Sequence, residues 1–375
     1  MSRQLTIAVA GVTGRMGSAR HLREALVPLA AEGLRPPDGT EPVRLRLVLV
    51  GRDASVLERL AATCGAGWTT DLDAVLADPG VDVYFDARRP DVRPAAVSVA
   101  LEAGKHVYVE KPLALEAAEA EALAKLSRER GLRTGIVHDK LFTPGYIALR
   151  RLLAAGTLGA VVDVRGAFGY WVHDGTDRPA QRPSWNFRRE AGGSLIPDLF
   201  THWSYLLELV GRPVAVAALT ATHVAERRDE RGNAYPVTVE DVAHVLLRLD
   251  NGATASVSSS WVERPFTPFT LVVHGLRATA HVTPAGCWIT EEAMGDGAPW
   301  SDGPVGVWRS VPSPPGYEFR AQWLAFLRHV AFDEPFPWTF ASAVRAARLC
   351  AAIEASAAVG AWSEVPGDSA PPIHA

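Results

Sequence analysis

"LTIAVAGVTGRMGSARHLREAL", residues 5–26, decides how the rest of the chain is read. It opens as a short apolar run, Leu5 to Ala10, passes three glycines at 11, 14 and 17, and continues with the spacing of a helix. A strand that turns through glycine into a helix is the opening of a βαβ unit. Glycine lets the backbone turn tightly and approach a pyrophosphate, and the unpaired N–H groups of a helix N-terminus favour phosphate charge. Two residues rather than one separate the first two glycines, so the spacing departs from G-x-G-x-x-G. The strand-to-helix context gives the pattern its weight. Gly11, Thr13, Gly14, Arg15, Met16 and Gly17 are the candidate cofactor contacts here.

Working outward, Arg44–Val50 ("RLRLVLV"), Val81–Phe85, His106–Val109 and Arg133–Val137 read as further strands, with helical segments such as "DASVLERLAATC" and "PAAVSVALEAG" between them. This alternation predicts an α/β fold, a Rossmann-type doubly wound parallel sheet over residues 1–150. "AAEGLRPPDGTEPVR", residues 30–44, reads as an inserted loop. The second strand runs into Gly51, Arg52 and Asp53. An acid at that point suits the ribose hydroxyls of NAD, and an arginine the extra phosphate of NADP. The signal is divided between Arg52 and Asp53 and leans to NADP.

The pattern changes near residue 150. Val161–Val172, Val214–His223, Val242–Asp250, Ala253–Trp261 and Phe269–His274 are β-like, and "GGSLIPDLFTHWSYLLELVG" between the first two is helical. Asp250-Asn251-Gly252 is a hairpin signal. Residues 151–375 therefore read as an α+β domain with a large open, mostly antiparallel sheet. It is the expected substrate-binding and oligomerisation domain. Helical segments near 318–331 and 339–358 can pack back on the first domain.

The 375 residues suit about two domains. A hydrophobic content of 48% with 21% charged residues provides for a real core. The net charge of -4, without a basic face, speaks against nucleic-acid binding. The three cysteines form no CxxC, so neither a zinc site nor a disulfide framework is indicated. The N-terminal apolar run is too short and too interrupted by glycine for a secretory signal. No run of roughly eighteen apolar residues suggests a membrane span. The expectation is a cytoplasmic protein without a metal.

"VYVEKPLAL", residues 107–115, is a buried strand that ends on Glu110, Lys111 and Pro112. Ligands of open α/β sheets bind outside the carboxyl ends of the strands, so Lys111 has a functional reading beside the plainer one of a solvated turn. Asp198 and His202 stand four apart and share one helix face. Pro197 also fits a helix start that Asp198 caps. Just upstream, residues 169–193 hold Arg182, Trp185 and Asn186. Such aromatic, amide and guanidinium groups suit the apolar faces and hydroxyl edges of a sugar.

The glycine turn, "AGKHVYVEKPLAL", the Asp-x-x-x-His helix and "EDVAHVLLRLDNGATASVSSSW" together resemble the Gfo/Idh/MocA family of sugar and cyclitol oxidoreductases, over nearly the whole chain. The resemblance implies NAD or NADP as cofactor, with Glu110 and Lys111 near it, and a catalytic group of Lys111, Asp198 and His202. It also implies a polyhydroxylated substrate beside Lys111, Asp198 and His202. Lys140 of "HDKLF", Arg182, Trp185 and Asn186 are the further candidates for it. In such a reaction a histidine accepts the hydroxyl proton, and a lysine donates to the oxygen where negative charge develops. "DARRPDVRP", residues 86–94, departs from the family, which more often carries a Thr-Pro or Asn-Pro turn and a histidine there.

The activity so implied is hydride transfer between a sugar, glycoside or cyclitol hydroxyl or ketone and a nicotinamide. Two other activities fit the same motifs: glycoside cleavage through oxidation and elimination on tightly bound NAD, and non-catalytic dinucleotide sensing. The second-half sheet has helices for only one face, so a homodimer or homotetramer through the other face is expected.

Overall fold

Six strands, β1 (Gln4–Ala10), β2 (Arg44–Val50), β3 (Gly67–Thr69), β4 (Val83–Asp86), β5 (His106–Val109) and β6 (Thr134–Ile136), pair in the order β3-β2-β1-β4-β5-β6. Every neighbouring pair is parallel. The structure is a computed structural model and describes residues 3–14, 16–291, 307–313, 315–316 and 318–367. Alternate residues of β1 enter different cores. Leu5, Ile7 and Val9 pack with Phe319, Trp323 and Phe326, whereas Ala8 and Ala10 pack with Phe340, Ala343 and Val344. A parallel sheet buried on both faces requires apolar residues at successive positions, as at residues 7–10 of β1 and 83–85 of β4.

The chain divides into two compact units, Met1–Asp139 with Tyr317–Ala347, and Lys140–Gly316 with Arg348–Ala375. The first unit thus ends before residue 150, where the sequence placed the boundary. The helix Pro144–Ala154 belongs instead to the second unit. It packs against that unit's strands so closely that a Cβ on Gly145 would stand 1.9 Å from the Thr283 carbonyl oxygen. The first unit is completed from a distance by the helix Glu318–Phe332 and the first residues of the helix Phe340–Val359.

The second unit is built on a nine-stranded sheet. Its strands are β7 (Val161–Trp171), β8 (Pro213–Ala221), β11 (Val242–Leu249), β12 (Thr254–Ser260), β13 (Val262–Gly275), β14 (Thr279–Thr283), β15 (Gly286–Thr290), β16 (Arg309–Ser310) and β17 (Ser363–Glu364). A separate small hairpin holds β9 (Glu226–Arg228) and β10 (Ala234–Pro236). The sheet order is β16-β15-β14-β13-β7-β12-β11-β8-β17, antiparallel except between β7 and β12. Asn251 and Gly252 turn the β11–β12 hairpin, with Gly252 at φ +86°.

Burial alternates strictly along β11: Ala243, Val245, Leu247 and Leu249 are buried, and His244, Leu246 and Arg248 are exposed. One face is therefore core and the other is open. The open face presents Leu219, 68% exposed, and Leu246, 54% exposed, in a shallow groove of about 540 Å³. Among the described residues, no helix is long and apolar enough to cross a membrane, and no cluster of metal-binding side chains is present.

Candidate active site

In the first unit β1 lies between β2 and β4, so the strand order reverses beside it, and the glycine turn sits at its carboxyl end. This is the switch point at which open α/β sheets bind ligands. The three glycines differ in what the protein itself demands of them. Gly11 has φ +82°, and a Cβ on it would lie 2.5 Å from the Ala87 carbonyl carbon. A Cβ on Gly17 would lie 2.2 Å from the Gly11 oxygen. On Gly14 the nearest neighbour would be the Gly11 oxygen at 3.5 Å, an ordinary contact. Packing thus explains Gly11 and Gly17 but leaves Gly14 bare without an internal reason, as a backbone approached by a pyrophosphate would be. Thr13 is exposed and Met16 packs against the unit's core. Arg15 lies outside the described residues.

Arg52 is exposed just past the end of β2. The Asp53 carboxylate accepts from the Ser55 hydroxyl at 2.8 Å and the Val56 N–H at 3.1 Å, which caps the helix Ala54–Cys64. These two bonds lower its pKa.

Lys111 follows β5, the neighbour of β4, so it stands at the same edge of the sheet as the glycine turn. Of the arginines that replace the family's usual turn, Arg88 and Arg93 hold the turn together, and Arg89 pairs with Asp91 at the surface. Asp86, fully buried, accepts from the Tyr84 hydroxyl at 2.7 Å, the Arg88 N–H at 2.7 Å and the Arg88 guanidinium at 2.6 Å. Arg93, also buried, donates to the carbonyls of Pro112 and Arg88, and the Lys111–Pro112 peptide is cis. Glu110 is buried with Oε1 2.7 Å from His21 Nε2 and Oε2 accepting the Lys111 N–H at 3.1 Å. Burial pushes its pKa up, but the hydrogen bond from His21, and with it the charge of Lys111, act the other way, and the pKa lies below the ordinary value. His138, at the start of "HDKLF", bonds Val137 O and Ser342 Oγ, and burial lowers its pKa to about 3.

In the second unit Asp198 lies in the first turn of the helical stretch Ile196–Phe200, which continues as Thr201–Leu207. Its Oδ2 accepts from Arg182 Nη1 at 2.6 Å. The Arg182 guanidinium lies over the Trp261 ring and also reaches the Asn186 side-chain oxygen. Burial works against the Arg182 charge, and Asp198 more than restores it, so its pKa is raised. Glu240 holds the start of this helical stretch by accepting from the Ile196 N–H at 2.9 Å. His202 is buried, with Nδ1 2.5 Å from the Tyr205 hydroxyl and its ring beside Phe269. The Lys140 ammonium lies 5.9 Å from the centroid of the same Phe269 ring. Trp185 sits in the short helix Ser184–Phe187, where Gly193 approaches its carbonyl so closely that a Cβ would be 2.1 Å away.

Within the second unit the structure therefore joins Asp198 to Arg182 and Asn186, and Lys140 to His202 through Phe269. Four groups escaped the sequence reading: His21, Trp323, Tyr205 and Glu240. Only Tyr205 left a readable signal, three residues from His202 on one helix.

Residues 5–138 match the oxidoreductase family with an NAD-binding Rossmann fold, and residues 146–281 match the Gfo/Idh/MocA C-terminal domain. A D-xylose dehydrogenase of Paenarthrobacter nicotinovorans is 37% identical over 92% of each chain. A levoglucosan dehydrogenase of Pseudarthrobacter phenanthrenivorans is 27% identical over 66% of this chain and 65% of its own. Among solved structures, a levoglucosan dehydrogenase in complex with NADH superposes with a TM-score of 0.83, at 22% identity, over 98% of this chain and 100% of that one. The chain belongs to the Gfo/Idh/MocA family of oxidoreductases, and its first unit is an NAD-binding Rossmann domain. Relatives that are sugar dehydrogenases favour the oxidoreductase reading over glycoside cleavage and over non-catalytic sensing.

Proposed function

We propose that the protein is a sugar dehydrogenase that exchanges a hydride between a carbinol carbon and a nicotinamide cofactor. The observation that carries this is the bare Gly14 at the switch point, at the same sheet edge as Lys111, in a chain 37% identical to a D-xylose dehydrogenase. Gly11, Gly14 and Gly17, with Thr13 and the helix that follows, would hold the pyrophosphate. Once bound, the nicotinamide supplies the hydride acceptor or donor. The protein's own groups supply the proton chemistry. His202 accepts the hydroxyl proton, and its Nδ1 contact with Tyr205 helps to hold the ring. Lys111 donates to the substrate oxygen as negative charge grows there. Asp198, its charge balanced by Arg182, accepts from a neighbouring hydroxyl, while Trp185 and Asn186 line the sugar.

The cofactor reading leans to NADP. Asp53 is engaged in capping, and Arg52 stands exposed beside it, which suits a 2′-phosphate. The NADH bound in the solved relative speaks for NAD. The open face of the nine-stranded sheet, with Leu219 and Leu246, is proposed as the face that pairs in a homodimer or homotetramer.

One assay tests activity and cofactor together. Purified protein is mixed with D-xylose, levoglucosan and other sugars and inositols, with NAD or NADP, and reduced cofactor is followed by absorbance. Formation of NAD(P)H with at least one sugar is expected, and Arg52→Ala should weaken NADP more than NAD. Sugar release without net NAD(P)H would overturn the dehydrogenase reading, and equal losses in Arg52→Ala would overturn the NADP lean.

A further inference from the structure

Behind Lys111 lies a hydrogen-bond chain whose direction is set at both ends. Trp323 Nε1 donates to His21 Nδ1 at 2.9 Å. His21 Nε2 lies 2.7 Å from Glu110 Oε1, and the Lys111 N–H donates to Glu110 Oε2 at 3.1 Å. Trp323 and His21 have no solvent exposure and Glu110 is 7% exposed. Phe85 and Phe319 pack on the imidazole, with ring centroids 4.6 and 5.0 Å away.

An indole N–H can only donate, so Nδ1 of His21 must accept. A neutral imidazole then carries its proton on Nε2 and donates it to Glu110. The backbone N–H of Lys111 can also only donate. Glu110 therefore faces a donor on each oxygen and must be an ionised carboxylate. A protonated carboxyl, a doubly protonated imidazole or the other tautomer would each set a proton against a proton.

We propose that Trp323, His21 and Glu110 are positioning residues for Lys111, and that Glu110 acts through the backbone of the lysine rather than as a ligand of the cofactor. Arg93 completes the clamp on the far side by holding the Pro112 carbonyl. The motif alone put Glu110 in the cofactor site; its two engaged oxygens give it this other task. The inference rests on the assignment of Lys111 to catalysis made above.

The donor count dictates an unusual suppressor. In Glu110→Gln one end of the amide must place N–H against a donor, either His21 Nε2–H or the Lys111 N–H. Adding Trp323→Phe releases Nδ1, so His21 can move its proton there and accept from the glutamine. With D-xylose, or whichever sugar the activity screen returns, Glu110→Gln should lower kcat by about a hundred-fold, the scale of a misplacement on the order of 1 Å. Its NAD affinity by calorimetry should be unchanged, and the double variant should recover part of the lost kcat.

Nitrogen-15 NMR of the histidine ring nitrogens in the unmodified protein, assigned with His21→Gln, should show His21 with Nδ1 bare and Nε2 protonated. That measurement does not depend on the folding of Glu110→Gln. A protonated Nδ1, a double variant slower than Glu110→Gln alone, or a loss of NAD affinity matching the loss of kcat would each overturn the proposal. If the unmodified protein oxidised no sugar, the dehydrogenase reading and the catalytic purpose of the chain would fall together. The ring-nitrogen spectrum would still decide whether the hydrogen bonds run as drawn.

Discussion

The two units hold their chemically important side chains by different means. In the first, His21, Glu110 and Arg93 are buried and tied to backbone groups or to a ring that can only donate. In the second, Asp198 and Arg182 are partly exposed, at 24% and 18% of their side-chain surfaces, and hold each other as an ion pair. A buried hydrogen-bonded network is held in few geometries and is little affected by salt. A partly exposed ion pair can yield as its surroundings change. The contrast fits the tasks proposed for each unit: one cofactor always of the same shape, and sugars that differ by single hydroxyls.

The comparison can be tested at several points. Loss of a reacting group should have the largest effect, whichever unit supplies it. Lys111→Ala and His202→Ala should each reduce kcat by about a hundred- to ten-thousand-fold, and the double variant by less than the product. Steady-state kinetics measure this, and near wild-type turnover in folded variants would end the catalytic assignment.

The two arginines separate the units next. Arg93→Ala empties a buried side-chain site, strips two carbonyls of their donor, and should destabilise by roughly 3 kcal/mol. Arg182→Ala should cost about 1 kcal/mol but raise KM for the sugar. Urea denaturation beside kinetics would show it, and equal stability losses would erase the distinction between buried and yielding sites. The mildest expected effect on the fold is that of Leu246→Glu on the open sheet face. Its unfolding midpoint at low protein concentration should barely move, while sedimentation shows smaller assemblies. Unaltered assembly would show that this face is not the interface.

Much of this was legible beforehand. β2 and β5 were readable to the residue: β2 alternates Arg and Leu before running on as Val-Leu-Val, β5 is nearly all apolar, and both lie between helical stretches. The antiparallel strands were legible through the alternation on β11 and the turn at Asn251 and Gly252. β3 was missed because Gly67–Thr69 is short and no residue in it is buried. The boundary moved because the helix Pro144–Ala154 carries no mark of which sheet it will cover. Lys111, Asp198 and His202 are proposed through motifs, local patterns that a linear reading can see. The partners of Glu110 lie 89 positions upstream of it, at His21, and a further 302 positions from there, at Trp323. A buried histidine on an amphipathic helix looks like any other core residue until the chain is folded.

The discontinuous make-up of the first unit bears on how the protein is made. Translation delivers the strands of the parallel sheet first, then the whole of residues 140–316, and only then the helix that carries Phe319, Trp323 and Phe326. Until that helix leaves the ribosome, Leu5, Ile7 and Val9 lack Phe319, Trp323 and Phe326, part of their cover, and His21 lacks its indole. A nascent chain interrupted before that point exposes an apolar sheet face of the kind that chaperones and proteases recognise. Completion of the lysine's support is thus tied to synthesis of the helix Glu318–Phe332, about two hundred residues after the strand it serves.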